Sequence, residues 1–541
     1  MNKKRILICN DAHFTHSGYG KYGKEVLTRL AATGKYELAE LACYGHIDSK
    51  NRSPQGWRYY ANAVDSNHPD FKEYRASSLS ELGAWRWERT VLDFHPDIVF
   101  DIRDPHVNEF ISYSPLREFY HLCLMPTVDS APQRPQWVDS FRLADSIRVY
   151  SEWAIPVLER CGLTVSGLSS PGISLDTFKP TRDKRKHREI IGIAPDALIV
   201  GTIMRNQTRK LYPDLCEVLR MVLEKAPQEI SSKLFFYFHT GYPDAGWNIP
   251  SLLQEFGIAN KVLLTYICSH CSAVMPSLYR DTVTPCLACG QKAKLTNPSI
   301  GISDKQLAHI INTFDIYAQY SVCEGFGMSQ VEAAACGVPI MSIDYSAMAD
   351  VVRNVGGIPL KPLTMFRDVV MDAYRAIPDN KLAADTIISF FLAQQSYRDE
   401  LAKVARSGVE TYYTWDKCAK SWEDHFDSIV LTGNQGKYDI PFRNFNMPTI
   451  PKNINNYEFA NWAMSILYGN TMQNSYKSLT MAEELETQSR LIGKNTLKIN
   501  RNFIFEEIER SLEFKKETEL ARTNPSGMVP NDFILAANQE E

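Results

Sequence analysis

The chain alternates short apolar runs with amphipathic stretches over its first 430 residues. Runs such as RILIC, PDIVFDIRD and YHLCLMPTV lie between segments that place apolar residues at helical spacing. Short, continuously apolar strands between helices are typical of parallel sheets covered on both faces. A polar and basic stretch, SSPGISLDTFKPTRDKRKHREI, interrupts the pattern, which then restarts with LIVGTIM. The pattern predicts two α/β units joined near residue 175.

Beyond residue 430 this alternation stops. The segments NYEFANWAMSILYG, TMAEELETQSRLIG and NFIFEEIERSLEFKKETELAR are separated by polar joints and carry apolar residues at helical spacing. Such segments are typical of amphipathic helices. We therefore predict an α/β domain over 1–175, a second one over 176–430 and a helical extension over 431–541.

The composition is that of a globular protein. The chain has 541 residues, of which 44% are hydrophobic and 23% charged, and its formal net charge is -4. This balance gives no general attraction for polyanions, so contact with nucleic acid or an acidic membrane requires a local patch. The basic run 182–188 is a candidate for peripheral membrane contact, although such runs are more often solvated linkers.

The first apolar run does not resemble a secretory signal. ILIC spans four residues, against the roughly 7 to 15 that a signal peptide needs. No uncharged apolar run approaches the roughly 18 residues that would indicate a membrane span. We expect a cytoplasmic protein without a transmembrane segment.

Two C-x2-C pairs lie in one insertion of the second α/β domain, over about 266–300. They are Cys268 with Cys271, and Cys286 with Cys289. Four thiolates at this spacing are typical of a zinc ribbon, and a zinc ion with four protein ligands has a structural role. Free thiols or a redox-exchange pair are the alternatives. His270 lies inside the first pair and is interpreted as a bystander.

The segment CEGFGMSQVEAAACGVPIMSID contains the most informative motif. It predicts a turn at Glu324 to Gly327, a helix from about Met328 to Cys336, a left-handed glycine and a buried strand. The free N–H groups of Gly325, Phe326 and Gly327 at a helix N-terminus attract a diphosphate. Glu332, one turn inside, has the geometry to bind ribose hydroxyls, while Glu324 reaches hydroxyls on whatever the diphosphate carries.

Two cations follow an earlier strand. In VGTIMRNQTRK, Arg205 and Lys210 lie five residues apart on the loop after the strand, where they can clamp a diphosphate. Loops at the carboxyl ends of parallel strands are the usual ligand sites of open α/β sheets. The alternative is a pair of ordinary surface charges.

These motifs, in this order, resemble those of the family 4 glycosyltransferases. The resemblance rests on the Glu-x7-Glu pair in EGFGMSQVEAAACGVPI, the Arg/Lys pair in GTIMRNQTRK and the linker PGISLDTFKP. RVYSEWAIPVLERCG resembles the elements before that linker, and WDKCAKSWEDHF resembles a C-terminal helix, over about 406–430, that crosses back to the first domain. The similarity covers roughly residues 3–430, and several ordered motifs are more specific than one.

The resemblance implies the GT-B fold, in which two Rossmann-like α/β domains face each other across a cleft. The N-terminal domain over 1–175 would then be the acceptor side, and the domain over 176–430 would bind the nucleotide sugar. The implied activity is transfer of a hexose or pentose to an acceptor hydroxyl with retention at the anomeric carbon.

The resemblance also assigns roles to the site residues. Arg205 and Lys210 would stabilise the departing diphosphate, Glu332 would hold the ribose and Glu324 would orient the sugar. The chain contains no Asp-x-Asp, the carboxylate pair with which other glycosyltransferases hold a divalent ion on the diphosphate. We therefore expect chemistry that does not depend on a metal.

Asp129 departs from the family pattern. Members often carry a histidine at this position, after the strand in CLMPTVDSAPQ, near the reacting sugar. An aspartate can accept a hydrogen bond from a sugar hydroxyl or take the acceptor's proton. An Asx-turn before SAPQRP is an equally good interpretation.

The glycines of SGYGKYG have the G-x-G-x-x-G spacing of a dinucleotide fingerprint. Eight residues separate the first strand from Gly18, however, and the second strand does not end in an acidic residue. We therefore interpret SGYGKYG as a loop where Gly18 and Gly20 let acceptor and donor sugar approach, rather than as the site of a dehydrogenase.

The sequence does not identify the acceptor, which is a glycan, a lipid, a protein or a modified DNA base. Transfer to a hydroxymethylated DNA base, as in viral enzymes, is one alternative, because zinc ribbons often bind nucleic acid. A non-catalytic nucleotide-binding module of the same fold is another.

Overall fold

The computed structural model describes residues 3–52, 56–280, 284–449, 453–468, 481–487, 490, 494–525 and 533–535. The chain divides into two compact units. The first comprises Met1–Pro126, Pro135–Arg148 and Glu423–Glu541, and the second comprises Thr127–Arg134 and Val149–Trp422. The division into three domains that the sequence suggests, over 1–175, 176–430 and 431–541, remains a prediction.

The first unit is built on a mostly parallel sheet. Its strands are β1 (Arg5–Asp11), β2 (Glu37–His46), β3 (Arg58–Ala63), β4 (Ile98–Asp101), β5 (His121–Leu124) and β6 (Ser146–Val149), at the end of which the chain enters the second unit. Within the described residues their order is β3-β2-β1-β4-β5-β6, and each neighbouring pair is parallel. The apolar runs of β1 and β4 are fully buried, as expected for a sheet covered on both faces.

The helices of the first unit connect these strands. They are Gly18–Thr33, Phe71–Tyr74, Ser78–Glu81, Trp87–Phe94, Glu109–Ser112 and Pro135–Phe141. Gly18–Thr33 shows how the sequence sets their limits. Ser17 caps its N-terminus by accepting a hydrogen bond from Gly20 N at 3.0 Å, and Gly34 ends it with φ +64°.

The second unit contains a second, larger sheet. The short strand β7 (Gly167–Leu168) precedes this sheet in the chain and is not part of its strand order. The strands of the sheet and of the hairpin that follows it are β8 (Leu198–Ile203), β9 (Leu234–His239), β10 (Val262–Cys268), β11 (Val274–Leu278), β12 (Thr284–Pro285), β13 (Lys292–Leu295), β14 (Ile316–Gln319), β15 (Ile340–Ile343), β16 (Ile358–Leu360), β17 (Thr364–Asp368) and β18 (Ala373–Ile377). In the described chain the order is β12-β13-β10-β9-β8-β14-β15-β16, with β11 also paired to β10, while β17 and β18 form a separate hairpin.

The parallel part of this sheet, β10-β9-β8-β14-β15-β16, is covered by helices. These are Ala154–Glu159, Lys184–Ile190, Tyr212–Lys225, Gln228–Ser231, Ile249–Glu255, Asp304–Ile311, Met328–Ala335, Ala347–Asn354, Asn380–Leu392, Gln395–Tyr412 and Trp415–Ser428, of which the last ends in the first unit. Two Rossmann-like sheets, each with parallel strands and connecting helices, confirm the predicted fold class.

In the linker of the second unit, the backbone at Gly172 lies very close to the backbone at Trp415. A Cβ at Gly172 would overlap the backbone of Trp415, and the next residue, Ile173, donates its N–H to Tyr413 O at 3.0 Å. The basic run that follows is partly buried. Arg188 bonds Thr313 O and Asp315, and Lys184 donates to Phe314 O at 2.6 Å. These two cations therefore hold the linker to the sheet.

The C-terminal extension belongs to the first unit. Its described helices are Asn456–Tyr468, 481–487 and Lys494–Thr523, and a last strand, β19 (Ile534–Leu535), pairs antiparallel with β3. Residues 488–489 and 491–493 of the predicted middle helix lie outside the described residues. In the part that is described, no helix is long and apolar enough to cross a bilayer.

Candidate functional site

The Glu324–Gly327 turn leads directly into the helix Met328–Ala335, as predicted. Gly327 caps this helix with φ +87°, a left-handed conformation that favours glycine. Gly325 is required by space, since a Cβ there would overlap the Thr127 side chain. Phe326 is buried and packs edge-on against Tyr413, with ring centroids 5.4 Å apart. The backbone of this turn is therefore closely constrained.

Lys210 and Glu324 form a buried ion pair in the second unit. Lys210 Nζ donates to Glu324 Oε1, and each residue is only 6% exposed. Gln319 Nε2 donates to the same carboxylate oxygen at 2.9 Å, and Ser346 Oγ accepts the Glu324 N–H at 2.9 Å. The structure thus joins two predicted site residues. Lys210 and Gln319 hold the Glu324 carboxylate, and Ser346 holds its backbone N–H.

The environment of Lys210 changes its proton affinity. Burial lowers the pKa of Lys210 well below its usual value, and the Arg209 guanidinium lowers that pKa further. Arg209 NH2 also lies 3.6 Å from Glu324 Oε2. The sequence motif does not identify Arg209 as a site residue, although Arg209 lies next to Lys210 in RNQTRK. The site therefore holds a second cation beside the ion pair.

Asp129 contacts Cys323, the residue that precedes the turn. Cys323 Sγ donates to Asp129 Oδ2 at 3.2 Å, and Arg375 NH1 donates to the same sulfur at 2.9 Å. Arg375 NH2 is 3.8 Å from the Asp129 carboxylate. Burial raises the pKa of the Cys323 thiol, and Asp129 raises it further. No sequence pattern indicated Arg375, because it comes from the β17–β18 hairpin, outside every motif.

Arg205 has a different partner. Its Nε and NH2 donate to the two Asp244 carboxylate oxygens at 3.1 and 3.2 Å, and its side chain is 60% exposed. Burial raises the pKa of Asp244, but hydrogen bonds from Arg205 and from Ala245 N outweigh burial and hold that pKa below its usual value. Of the predicted cationic pair, the structure places Lys210 against Glu324 and Arg205 against Asp244.

Glu332 lies inside the helix Met328–Ala335 and is 7% exposed. Its charge contributes to the raised pKa of Tyr317, whose main cause is burial. The Tyr317 hydroxyl donates to Gln319 Oε1 at 2.7 Å, and Gln319 in turn contacts Glu324. Both glutamates of the Glu-x7-Glu pair therefore adjoin one polar network.

The glycines of SGYGKYG lie in the first unit, within the first turns of the helix Gly18–Thr33 rather than in a loop before it. The N-cap at Ser17 explains this earlier start. A Cβ at Gly18 would meet no atom within 4 Å, whereas one at Gly20 would overlap Thr15 Oγ1 and lie 2.7 Å from Ala12 O. Gly20 is therefore needed for close packing, and Gly18 faces open space.

The four cysteines of the insertion come together. The sulfurs of Cys268, Cys271, Cys286 and Cys289 all lie within 4.8 Å of one another. The pairs Cys268–Cys289 and Cys271–Cys286 are each 3.6 Å apart. Zn–S bonds of about 2.3 Å in a tetrahedron separate the sulfurs by about 3.8 Å, so the cluster fits a tetrahedral ion.

Backbone groups shape both halves of this cluster. His270 N and Ala288 N each donate to a cysteine sulfur, Cys268 and Cys286, at 3.4 Å. N–H groups of Cys271 and His270 lower the pKa of the Cys268 thiol to about 6. Gly290 follows with φ +71°. The two N–H groups therefore favour the thiolate of Cys268, the form that binds metal.

Part of the chain is similar to known proteins. Residues 296–362, which include the turn, the helix Met328–Ala335 and the strands β14, β15 and β16, match the family model "Glycosyl transferases group 1". A D-inositol 3-phosphate glycosyltransferase of Xylanimonas cellulosilytica is 26% identical over 259 residues, which is 47% of this chain and 49% of that protein. A protein of the same name from Actinosynnema mirum is 27% identical over 255 residues. The chain spans 34 to 49% of the length of the curated relatives it matches.

Solved structures share the fold over a larger part of the chain. Sucrose-phosphate synthase of Thermosynechococcus elongatus superposes with a TM-score of 0.57 at 16% identity, covering 79% of this chain and 98% of that one. Anabaena HepE, in complex with UDP and glucose, has a TM-score of 0.53 at 13% identity, covering 79% and 100%. At these identities the comparison establishes the architecture, which is that of the GT-B glycosyltransferases.

Proposed function

Since the chain carries a glycosyltransferase group 1 domain on a GT-B fold, we propose that it is a retaining glycosyltransferase that moves a sugar from a nucleotide-sugar donor to an acceptor hydroxyl. One observation carries the proposal. The buried Lys210–Glu324 ion pair lies where the chain enters the helix Met328–Ala335. A buried cation, a carboxylate and a helix N-terminus together are suited to a charged diphosphate joined to a sugar.

The leaving diphosphate is the centre of the proposed chemistry. Negative charge builds on it as the bond to the sugar breaks, so preorganised positive groups lower the barrier. Lys210 would supply a buried charge, Arg205 an exposed planar one, and Gly325, Phe326 and Gly327 the N–H groups of the turn. Because these groups belong to the chain itself, we propose that the transfer needs no divalent ion.

The two glutamates of the Glu-x7-Glu pair would bind the neutral parts of the donor. Glu332 would accept hydrogen bonds from the ribose, and Glu324 from a sugar hydroxyl. The side chain of Glu324 is held by Lys210 and Gln319, and its backbone N–H is held by Ser346. The carboxylate is therefore positioned before the sugar arrives, which reduces the entropy lost on binding.

Asp129 would act on the sugar or on the acceptor. Arg375 lies 3.8 Å from its carboxylate, and Ser130 Oγ donates to Asp129 Oδ1 at 2.8 Å. A carboxylate held in this way can accept a hydrogen bond from a sugar hydroxyl. We propose that Arg375 positions Asp129 and that Gly18 lies on the acceptor side.

We propose a structural zinc ion at Cys268, Cys271, Cys286 and Cys289. The ion would hold the strands β10 to β13 together, and its four protein ligands leave no open position for chemistry. Lys292 and Lys294 are exposed on this insertion.

The comparisons do not favour transfer to a DNA base or a non-catalytic module.

The proposal is tested with the full-length protein and a panel of nucleotide sugars. Release of nucleoside diphosphate is measured alone and with candidate acceptors, including an inositol phosphate because of the name of the relatives. We expect hydrolysis of at least one donor, loss of donor affinity in Glu332→Gln, and no change in the surface control Glu400→Gln. Binding of nicotinamide nucleotides alone, with turnover of none of the donors, would overturn the proposal.

A further inference from the structure

A second cluster of metal-ligating side chains lies in the first unit, at residues to which no ligand has been assigned above. It consists of His121, Cys123 and His425, whose donor atoms all lie within 4.8 Å of one another. His121 and Cys123 come from β5, and His425 comes from the C-terminal part of the helix Trp415–Ser428. Nothing in the proposed sugar transfer uses these residues.

The strand geometry places the first two donors together. His121 and Cys123 are two residues apart on β5, so their side chains point to the same face of the sheet. On the neighbouring strand β6, Ser146 is the register partner of Cys123. Asp145 Oδ2 accepts the N–H of Leu122 at 2.7 Å and so fixes β5 between the two donors. These positions are therefore set by rigid backbone.

The distances within the cluster match those around a tetrahedral ion. Cys123 Sγ lies 3.5 Å from His425 Nε2. A tetrahedral ion with a metal–sulfur bond of about 2.3 Å and a metal–nitrogen bond of about 2.0 to 2.1 Å separates such a pair by about 3.5 Å. Ser146 Oγ lies 3.1 Å from His121 Nε2 and 3.0 Å from both Cys123 Sγ and His425 Nε2. The hydroxyl thus lies within hydrogen-bond distance of all three donor atoms.

The helix that carries His425 is held in place independently of the cluster. Lys4 Nζ donates to Phe426 O at 2.7 Å and to Ile429 O at 2.8 Å, and the Tyr36 hydroxyl donates to Asp427. The Phe426 ring packs against Phe100, with centroids 5.3 Å apart. His425 is therefore presented to the sheet by surrounding contacts, so the site is formed before an ion binds.

We propose that His121, Cys123 and His425 bind one Zn²⁺ ion, with the Ser146 hydroxyl beside the three ligands. One thiolate and two imidazoles are the donor set that zinc prefers over Mg²⁺ or Ca²⁺, which require oxygen ligands. Cys123 is buried, while both histidines are partly exposed and give the ion a route of entry. On binding, the Cys123 thiol releases its proton to solvent. The ion would fasten the helix Trp415–Ser428 to β5 and β6.

The test is the metal content of the purified full-length protein after dialysis against a zinc-buffered solution. Together with the four-cysteine cluster, we expect two zinc ions per chain. His425→Gln should lower the content by one ion, and Cys286→Ser should lower it by one ion at the other cluster. His106→Gln, an exposed histidine of the first unit, serves as the matched control and should change nothing.

A second measurement separates a metal site from a hydrogen-bonded cluster and does not depend on His425→Gln folding well. Cys123→Ser keeps a hydroxyl that can hydrogen-bond to Ser146 and His425 but lacks the thiolate. After replacement of zinc by Co²⁺, we expect this variant to lose one cobalt ion and the part of the thiolate-to-cobalt charge-transfer absorption that Cys123 contributes, while the absorption of the four-cysteine cluster remains. Unchanged metal content and an unchanged cobalt spectrum in Cys123→Ser would overturn the proposal, whatever happens at the four-cysteine cluster.

Discussion

Lys210 and Glu324 form a buried ion pair although 114 residues separate them in the chain. Lys210 follows β8, and Glu324 follows the neighbouring strand β14, so both lie at the carboxyl ends of adjacent parallel strands. Removing a single partner of a buried pair leaves an uncompensated charge, which costs about 3 to 5 kcal/mol. The pair is therefore held in place by the fold.

Lys210 should control the alkaline limb of the activity. Burial lowers its pKa well below the usual value, and only the charged form stabilises a diphosphate. We therefore expect kcat to fall, as pH rises, at a lower pH than an ordinary lysine pKa of about 10.4 would allow. Lys210→Gln should lower kcat by about 10² to 10³.

The pH profile of donor hydrolysis checks this prediction. Lys225→Gln is the control, because Lys225 is exposed and pairs only with the exposed Asp385. An alkaline limb that persists unchanged in Lys210→Gln would show that another group titrates.

Arg205 and Asp244 should behave as one unit in a double-mutant cycle. Asp244 holds the guanidinium by two hydrogen bonds, so its role in catalysis would pass through Arg205. We expect Arg205→Ala and Asp244→Asn each to lower kcat/KM, and the double variant to be no worse than Arg205→Ala. Effects of the two substitutions that simply add would contradict this prediction.

Adding a side chain at Gly20 and at Gly18 should affect the stability of the protein differently. Gly20→Ala places a methyl group against Thr15 and Ala12, and we expect it to lower the free energy of unfolding by about 1 to 3 kcal/mol. Gly18→Ala meets no atom and should leave stability equal or higher, because alanine favours a helix by up to about 1 kcal/mol. Chemical denaturation measures the free energy of unfolding of both variants.

If Gly18 lies on the acceptor side, Gly18→Leu should slow sugar transfer while donor hydrolysis continues. Equal loss of transfer and hydrolysis would argue against that position.

Zinc removal should act on stability rather than on donor affinity. Cys286→Ser is expected to lower zinc content and the melting temperature, because a structural ion contributes directly to folding. Donor binding in the folded fraction should change little, whereas Glu332→Gln should weaken it at full zinc content. Cys161→Ser, a cysteine outside both clusters, is the matched control. Loss of donor binding in proportion to zinc would instead place the ion in the active site.

The C-terminal extension should lose stability in acid. Burial alone raises the pKa of Glu519, but hydrogen bonds from Arg522 and Arg443 outweigh it and hold that pKa at about 2. A carboxylate with a lowered folded-state pKa contributes its stability above the unfolded pKa of about 4.3 and loses that stability as pH falls toward 2. The contribution is about 3 kcal/mol at neutral pH.

Glu519→Gln should therefore destabilise the protein at pH 7 by about 2 to 4 kcal/mol, because two guanidiniums lose their counter-charge. The difference from the wild type should shrink between pH 4 and pH 2. Denaturation curves at each pH, with the exposed Glu513→Gln as control, check the prediction. A constant difference at every pH would indicate that the Glu519 charge is not involved.

Much of the architecture followed from local patterns. Apolar runs such as ILIC and DIVF predicted parallel strands, and the glycines around the helix Met328–Ala335 predicted its limits within one residue. The two C-x2-C pairs predicted a cluster that the structure brings together. These features depend on residues close in the chain, so periodicity and capping are enough to recognise them.

The sequence by itself determined the two α/β sheets, the inserted cysteine cluster and the identity of Lys210, Glu324 and Glu332 as site candidates. Only the tertiary structure decided their partners. Arg375 reaches Asp129 from a hairpin, Arg205 turns to Asp244, and His425 lies beside Cys123 across 302 residues. Such contacts depend on the order of the strands and on how a helix packs against the sheet. Local sequence patterns predict neither of these. That is why the sequence predicted which residues matter in the turn, and why the fold was needed to show what each one touches.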